Sequence, residues 1–179
     1  MKSAANTRQM AFIGLMTSLL CIMAPFSILL PFSPIPLSLG TLAIYFCAIL
    51  LGMKQSIISV TLYLLLGLVG LPVFSGFTGG IGKLLGPTGG YLIGYLFLAL
   101  ICGLFVDKFP NQKLFYIIGM LLGTAACYLF GSLWLSYQAG ISLSQAFLTA
   151  VLPFLPGDVI KLILAVLIGF QIRRRLRLS

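Results

Sequence analysis

Long apolar runs separated by short polar turns constrain this chain more than any other feature of its sequence. Six runs are found, at about residues 9–30, 39–53, 55–71, 89–106 and 113–137, and a last run, interrupted by Pro153 and Pro156, that ends near residue 169. A membrane-spanning helix needs about 20 apolar residues, and backbone groups in lipid must be bonded within their own helix. We therefore predict an all-α membrane protein: one domain over residues 1–179, a bundle of six transmembrane helices with long outer loops.

The overall composition agrees with a membrane protein. Hydrophobic residues make up 60% of the chain and charged residues 7%, whereas a soluble domain carries about 25% charged residues. Lys2 and Arg8 precede the first apolar run as in a signal peptide, but that run passes into Pro-rich sequence without a small-residue cleavage site. We expect this segment to be kept as the first helix.

The basic residues predict the orientation. With six spans, nine of the 11 fall on one side, and the opposite connections hold only Lys83; the nine are Lys2, Arg8, Lys54, Lys108, Lys113, Arg173, Arg174, Arg175 and Arg177. The positive-inside rule then places both termini in the cytoplasm. These charges sit in short scattered turns, so they give no reason to expect a nucleic-acid partner. The terminal Arg cluster is expected to contact anionic membrane lipid.

The connections on the two sides differ in length. The predicted cytoplasmic turns, 52–55 and 107–112, are short, whereas the outer connections, 31–38, 72–88 and 137–153, are long and rich in Pro and Gly. Long irregular loops usually carry function, and short turns only connect elements. A pocket on the outer side, covered by these connections, is the natural inference.

Several kinds of chemistry are excluded by missing residues. The chain has no His and only two acidic residues, so a Ser-His-Asp triad or an acid/base pair is not available, and we predict no enzyme activity. Gly82-Lys83 lacks the rest of a phosphate loop, because Phe77 replaces its first Gly and Leu84 its Ser or Thr. The four cysteines lie singly in apolar runs and predict neither a metal site nor a disulfide; they are Cys21, Cys47, Cys102 and Cys127. No cofactor is expected.

Asp158 is the acidic residue that we single out as a functional candidate, because it lies where the last apolar run begins, three residues before Lys161. Residues three apart share one face of a helix, and ionisable groups inside a membrane segment usually mark a substrate or ion path. Two structural alternatives stay open. The residues form an internal ion pair with no ligand, or Asp158 caps a helix that starts after Pro156-Gly157.

A glycine-rich segment at 76–91 is the other candidate for ligand contact. Seven of its 16 residues are Gly, which lets the backbone bend sharply and approach a ligand closely. Free N–H groups in the segment, and those of a helix beginning at Gly89–Tyr91, would bond a polar solute. The alternative is a flexible outer loop in which Gly90 and Gly94 only pack helices together.

Four motifs together resemble the biotin-specific substrate-binding (S) component of energy-coupling factor (ECF) transporters, the BioY family. They are PLSL at 36–39, LPVF at 71–74, GPTGGYL at 86–92 and PFLPGDVIK at 153–161. The resemblance extends over nearly the whole chain, and the order and spacing of the motifs are more specific than any one of them. One departure is Gly40, where many members of the family carry Gln.

This resemblance implies a six-helix protein of a prokaryotic cell membrane that binds biotin from outside with high affinity. Its partners would be an energising module of one transmembrane coupling subunit and two ATP-binding subunits. Asp158 and Lys161 would bind the ureido group, and N–H groups of the glycine-rich segment the carboxylate. The predicted substrate-binding set is Asp158, Lys161, Gly79, Gly80, Gly82, Thr88, Gly89, Tyr91 and Phe77, and the candidates to cover the biotin rings are Tyr91, Phe77, Phe74 and Trp134.

The first helix would dock on the coupling subunit through a stripe of small residues, Ala11, Gly14 and Ser18. Two other functions remain open. The chain would be an S component for a different small nutrient, or a membrane scaffold subunit that transports nothing. A scaffold would show no saturable ligand binding and would tolerate Asp158→Asn.

Overall fold

The computed structural model describes residues 2–28, 31, 33 and 35–175, with side chains from residue 7 onward. Helices dominate it: α1 (Lys2–Met23), α2 (Gly40–Leu51), α3 (Met53–Leu68), α4 (Ile81–Leu85), α5 (Gly89–Lys108), α6 (Lys113–Ala139), α7 (Leu143–Ala150), α8 (Leu155–Leu164) and α9 (Phe170–Arg175). A 3₁₀ turn, Leu152–Phe154, precedes α8, and a π-helical turn, Ala165–Gly169, joins α8 to α9. Two short antiparallel strands, β1 (Ser27–Ile28) and β2 (Leu37–Ser38), complete the fold.

The helical, membrane-embedded character predicted from the apolar runs is confirmed. Among the described residues, three helical segments are long and apolar enough to cross a membrane: Gly89–Lys108, Lys113–Ala139 and Leu143–Arg175. Three shorter apolar helices coincide with the other predicted runs: Thr7–Met23, Gly40–Leu51 and Met53–Leu68. Each predicted run therefore has its helix, and the count of six complete spans stays a prediction.

The first predicted run is displaced in the structure. The helix covers Lys2–Met23, so Lys2 and Arg8 lie within it rather than ahead of it. It ends early because the chain then pairs as a strand, with Ser27 opposite Ser38. This short β-pairing is an addition to the mostly helical fold that the sequence predicts. The predicted end of this run at residues 29–30, and also Phe32, Pro34 and the terminal residues 176–179, lie outside the described residues.

The outer connections are less irregular than predicted. Helix α4 lies within 72–88, and 137–153 contains the end of α6, the eight residues of α7 and the start of a 3₁₀ turn, so the prediction of a long irregular loop in that last connection is wrong. Helix α7 begins with a capping box: the Ser142 hydroxyl accepts from the Gln145 N–H, and the Gln145 side chain accepts from the Ser142 N–H. This Ser-x-x-Gln signature of a helix start is visible in the sequence.

Close packing of α5 on α6 depends on glycine. A Cβ added at Gly90 would lie 2.2 Å from the Cβ of Trp134, and one at Gly94 would lie 2.9 Å from Cys127 Sγ. From the other side, a Cβ at Gly131 would lie 2.4 Å from the Tyr91 ring. Small residues that let backbones approach are typical of membrane helix interfaces, so the packing role considered for Gly90 and Gly94 is confirmed.

One end of the bundle gathers the basic turns. Asp107 Oδ2 accepts a hydrogen bond from the Met53 N–H at 2.8 Å, which joins the turn after α2 to the end of α5. Arg173 of α9 donates to the carbonyl of Ile49 near the end of α2. The turns predicted to be cytoplasmic therefore lie together, and the side of the membrane that they face stays a prediction.

The described parts of the three longer connections form a roof at the opposite end of the bundle. The Gly76 N–H donates to the Pro25 carbonyl at 3.0 Å, and the rings of Phe26 and Phe77 meet edge to face at 5.4 Å. The Trp134 indole N–H of α6 donates to the Gly86 carbonyl at 3.0 Å. These bonds hold the connections over the ends of α5 and α6, which is where the sequence predicted a covered pocket.

Candidate functional site

Asp158 and Lys161 meet on α8 as a buried ion pair. Their side chains are 2.9 Å apart, and the residues are 7% and 6% exposed. Helix α8 begins at Leu155 with Pro156 in its first turn, so Asp158 already lies inside the helix. The alternative that Asp158 caps a helix starting after Gly157 is therefore wrong. An acid in the first turn and a base in the last turn both agree with the helix dipole.

Lys161 connects three parts of the chain. Its Nζ donates to the Ser38 carbonyl at 2.7 Å, to Thr41 Oγ1 at 3.1 Å and to Asp158 Oδ1 at 2.9 Å. A lysine ammonium carries three protons, so each has an acceptor. The Lys161 side chain thereby joins β2 and the first turn of α2 to α8. These bonds hold the end of the first connection against the last apolar run.

The second carboxylate oxygen of Asp158 faces α6. It accepts a hydrogen bond from the Tyr128 hydroxyl. The ring of Tyr128 lies edge to face against that of Tyr91, with 6.5 Å between the ring centres. The Tyr91 hydroxyl lies 3.4 Å from both Ser132 Oγ and the Ala150 carbonyl. One tyrosine therefore bonds the carboxylate directly and a second packs against the first, and both hydroxyl groups are hydrogen-bonded.

A cavity of about 50 Å³ lies beside this network, between β2 and helices α2, α5, α6 and α8. Its wall combines the two charged groups with strand β2 and aromatic rings: Leu37, Ser38, Thr41, Tyr91, Tyr95, Tyr128, Phe154, Asp158 and Lys161. An acceptor, a donor and apolar rings suit a small solute with both kinds of hydrogen-bonding group and an apolar body. Ligand pockets usually measure about 300–1,000 Å³, so a vitamin-sized ligand needs these walls to move apart.

The predicted site residues divide into two groups. Asp158, Lys161 and Tyr91 lie together on the wall of this cavity. The remaining six belong to the roof and are not among its lining residues: Gly79, Gly80, Gly82, Thr88, Gly89 and Phe77. The structure therefore brings together the polar centre predicted from the sequence, while the glycine-rich segment reaches this cavity only through its last residue, Tyr91.

Several backbone N–H groups of the glycine-rich segment are already bonded to carbonyls of the protein. The N–H of Gly80, whose φ is +89°, donates to the Gly67 carbonyl at 2.7 Å. A Cβ at Gly79 would lie 2.2 Å from the Leu71 carbonyl oxygen, so only glycine fits there. The Gly89 N–H donates to the Gly86 carbonyl at 3.0 Å. Much of the glycine content is explained by packing of the segment on the end of α3 and the start of α5.

The other residues of the segment face different surroundings. Thr88 is buried at the start of α5, with its hydroxyl 3.4 Å from the Lys83 carbonyl. A Cβ at Gly82 would meet nothing within 4 Å, so this glycine faces open space. Partial burial disfavours the charged form of Lys83 and therefore lowers its pKa. Lys83 nevertheless places a basic group in the roof.

Of the four aromatic candidates to cover a ligand, only Tyr91 is among the residues that line the cavity. Phe74 is fully buried against Tyr63, with 5.6 Å between the ring centres, and belongs to the core. Phe77 is 60% exposed on the roof, and Trp134 is held by its bond to the roof backbone.

Sequence reasoning did not single out the other polar and aromatic groups at this site, which are Tyr95, Tyr128, Thr41 and the carbonyl of Ser38. A signal was available for two of them. Tyr91 and Tyr95 are four residues apart and so share one face of α5, and Tyr128 is a hydroxyl-bearing residue inside an apolar helix. Buried tyrosine hydroxyls usually need a hydrogen-bond partner.

The predicted docking residues lie on the outer face of α1. Ala11, Gly14 and Ser18 are exposed, and a Cβ added at Gly14 meets no atom within 4 Å among the described residues. The opposite face of α1 is buried through Met16, Thr17 and Leu20. The small stripe is therefore not used for packing within the described part of the chain.

Comparison of this chain with known proteins identifies its family. The model of the BioY family matches residues 1–178. The chain is 34% identical over 174 residues to the "Probable biotin transporter BioY" of Pyrococcus horikoshii, covering 94% of this chain and 98% of that protein. It is 34% identical over 167 residues to the "Biotin transporter BioY" of Thermotoga maritima, covering 93% and 96%.

The fold agrees with the sequence comparison. A crystal structure of the S-component for biotin from an ECF-type ABC transporter matches with a TM-score of 0.90 and 34% sequence identity, over 97% of this chain and 95% of that chain. Matches of this extent cover the apolar helices, the roof and the Asp158–Lys161 site together. The chain belongs to the BioY family.

Proposed function

We propose that this protein is the biotin-binding S component of an ECF-type uptake transporter in a prokaryotic cell membrane. It captures biotin with high affinity on the outer side and delivers it with an ATP-driven energising module. The observation that carries this proposal is the buried Asp158–Lys161 pair beside a cavity with aromatic walls. Membership of a family whose relatives are named biotin transporters supports the same conclusion.

The chemistry of biotin matches the polar centre. Its ureido group has two N–H donors and one carbonyl acceptor. The Asp158 carboxylate accepts from an N–H, and the Lys161 ammonium donates to the carbonyl. The rings of Tyr91, Tyr95 and Tyr128 cover the apolar bicyclic part. The binding surface is thus divided between charged groups for orientation and rings for contact area.

Biotin binding exchanges hydrogen bonds rather than adding new ones. Lys161 already donates to Ser38 and Thr41 as well as to Asp158, and Tyr128 already donates to Asp158. A ligand that takes one of these bonds must displace its present partner. Exchange keeps the buried charges satisfied in both states, which avoids the cost of a buried charge left without a partner.

The carboxylate of biotin points towards the roof in this proposal. Backbone N–H groups near Gly79, Gly82 and Thr88 are the donors assigned to it, with Phe77 and Gly80 shaping the cover, while the Gly89 N–H keeps its bond to the Gly86 carbonyl. Helix N-termini favour anions. The basic Lys83 in the same connection also favours an anionic end there.

Energy is supplied by a partner in this proposal. The sequence has no complete phosphate loop, so ATP hydrolysis falls to two ATP-binding subunits, and a transmembrane coupling subunit joins them to this chain. The small stripe of α1 supports this division because it is exposed on the outside of the bundle. Such a stripe allows a partner helix to approach closely.

Titration calorimetry of the purified protein with biotin, without nucleotide, tests the binding function. We expect saturable binding, weakened by about 1–3 kcal/mol in Asp158→Asn, the cost of leaving a buried polar partner poorly satisfied. That range corresponds to roughly 5- to 150-fold in Kd. Lys161→Met should also weaken binding, because it removes the donor to the ureido oxygen.

Asp107→Asn is the matched control. It neutralises the other acidic residue, which lies at the opposite end of the bundle, and should leave Kd unchanged. Unchanged Kd in both site variants would remove Asp158 and Lys161 from the site. Absence of any saturable signal with biotin, but a signal with another vitamin, would identify an S component for a different nutrient, and no signal with any solute would favour the scaffold alternative.

A further inference from the structure

A second and larger cavity adjoins the polar centre from the side of α6. It is an open groove of about 500 Å³ between α6 on one wall and α7 and α8 on the other. Its lining includes Leu121, Ala125 and Leu129 of α6 and Val159 and Leu162 of α8. Tyr128 and Asp158 line both this groove and the small cavity, so their hydrogen bond lies at the boundary between the two spaces.

The few polar groups of the groove already have partners. Thr124 Oγ1 donates to the Met120 carbonyl at 2.7 Å and is hydrogen-bonded to the Tyr45 hydroxyl. Ser132 Oγ is paired with the Tyr91 hydroxyl at 3.4 Å. Asp158 is bonded to Tyr128 and Lys161, and the rest of the lining is aliphatic or aromatic. The groove is therefore suited to an occupant that needs no hydrogen bonds.

The position of the groove on membrane-spanning segments indicates whether it faces lipid or water. Both walls belong to segments long and apolar enough to span a membrane, Lys113–Ala139 and Leu143–Arg175. Residues at its mouth are strongly exposed, with Leu129 at 61%, Leu121 at 53% and Val159 at 53%. A side chain of this kind facing outward from a membrane span contacts hydrocarbon. The groove therefore opens towards lipid chains rather than towards water.

The size of the groove argues against a partner helix. A helix with its side chains is about 10–12 Å across and rises 5.4 Å per turn, so one turn takes up roughly 400–600 Å³. The groove holds about 500 Å³, which is room for a single turn, whereas a spanning helix has five or more turns, about 20 residues. A thin flexible chain fits this volume better.

We propose that the acyl chain of a membrane lipid occupies the groove between α6 and α8. The chain lies against Tyr128 and covers the side of Asp158 that does not face the small cavity. Hydrocarbon in this position keeps water from the carboxylate, so the Asp158–Lys161 pair stays in a medium of low dielectric constant, where it is strong. This site adjoins the biotin site, with which it shares Tyr128 and Asp158, and it takes a different class of ligand.

Photolabelling with a phospholipid tests the proposal. The protein is reconstituted in vesicles that contain a phosphatidylcholine with a diazirine in the middle of one acyl chain, irradiated, digested and analysed by mass spectrometry. We expect adducts to be several-fold enriched on the groove residues Leu121, Leu129 and Val159. Equally exposed apolar residues on α3, such as Leu65 at 50% and Ile58 at 47%, provide the reference in the same sample.

Ala125→Trp fills the groove and should abolish the enrichment while leaving the α3 adducts unchanged. Leu122→Trp is the matched control: it adds the same ring to an exposed neighbour on α6 that does not line the groove, and it should keep the wild-type pattern. Adducts distributed in proportion to exposure in the wild-type protein would overturn the proposal. So would protection of the groove by biotin, which would make it a solute site.

This readout does not depend on biotin binding. A protein that binds biotin but shows no enrichment keeps the proposed function and loses the lipid site. A protein that shows the enrichment but binds no biotin keeps the lipid site and loses the proposed function.

Discussion

Two buried tyrosines show how a single hydroxyl group affects this protein. The Tyr128 hydroxyl donates to the Asp158 carboxylate, whereas the Tyr63 hydroxyl is buried and has no hydrogen-bond partner among the described residues. Removing a donor from a buried charge leaves that charge poorly satisfied, but removing an unpartnered hydroxyl relieves a cost already present. The same substitution at the two positions should therefore have opposite consequences.

Tyr128→Phe should lower the free energy of unfolding by about 1–3 kcal/mol, because the Asp158 carboxylate loses a buried hydrogen bond. Tyr63→Phe should be neutral or stabilising, and it serves as the matched control for loss of a ring hydroxyl. Thermal unfolding of both variants in detergent measures the difference. Equal destabilisation by the two changes would show that the Tyr128 bond adds nothing beyond ring packing.

The sequence identifies the centre of the site at this scale because charge is rare in it. Asp158 and Lys161 are conspicuous in an apolar run, and their three-residue spacing places them on one face before any tertiary structure is known. Their partners are not conspicuous. The Ser38 carbonyl is a backbone atom, and the contact of Tyr128 with Asp158 depends on how α6 is rotated against α8, which a single sequence does not specify.

Helix α1 carries the proposed contact with the coupling subunit. Gly14→Leu should reduce co-purification with that subunit, because a bulky side chain keeps a partner helix from approaching the small stripe. Biotin affinity should stay nearly intact, since a Cβ at Gly14 meets nothing within the described chain. Affinity purification of the complex and titration calorimetry of the isolated chain measure the two quantities.

Leu122→Phe, which adds bulk to an exposed position of α6, is the control for that experiment and should change neither quantity. Equal loss of co-purification and of biotin binding in Gly14→Leu would indicate misfolding. Full co-purification would exclude this face of α1 from the docking surface.

Long elements and short elements differ in how far the sequence predicts them. Helices α2, α3, α5 and α6 follow the apolar runs within a few residues, because hydropathy reports the medium that surrounds a span. Helix α7 and the β1–β2 pairing follow other causes, a capping box and a pairing of segments ten residues apart. Average hydropathy does not detect these, which explains why the last outer connection was predicted as irregular.

The whole molecule has two unlike ends, a basic end with tight turns and a roofed end with longer connections. We expect the roof outside the cell, and thiol labelling with an impermeant reagent tests this in intact cells. Ser142→Cys, on the roof, should react at once. Gln112→Cys, in the turn between α5 and α6, should react only after the membrane is opened. Both positions are exposed, so a difference in labelling reports the side of the membrane.

The background for this labelling experiment needs one change. Cys47, Cys102 and Cys127 are buried and can stay, whereas the half-buried Cys21 is replaced by Ala. The parent with no added cysteine should remain unlabelled. Labelling of Gln112→Cys but not Ser142→Cys in intact cells would invert the orientation and make outward capture of biotin untenable. Labelling of both in intact cells would place the two positions on the same side, so that α6 does not cross the membrane between them.

The π-helical turn at Ala165–Gly169 takes up one extra residue between α8 and α9. Above it, α8 directs Asp158 and Lys161 towards the cavity, and below it, α9 directs Arg173 to the Ile49 carbonyl. One residue corresponds to about 100° of helix rotation, and a π turn accommodates one residue more than an α turn. A chain one residue shorter here would close this turn as an α turn and keep the rotational phase of both the half that carries Asp158 and Lys161 and the half that carries Arg173, so a single-residue deletion should be tolerated better in this segment than elsewhere in the helix.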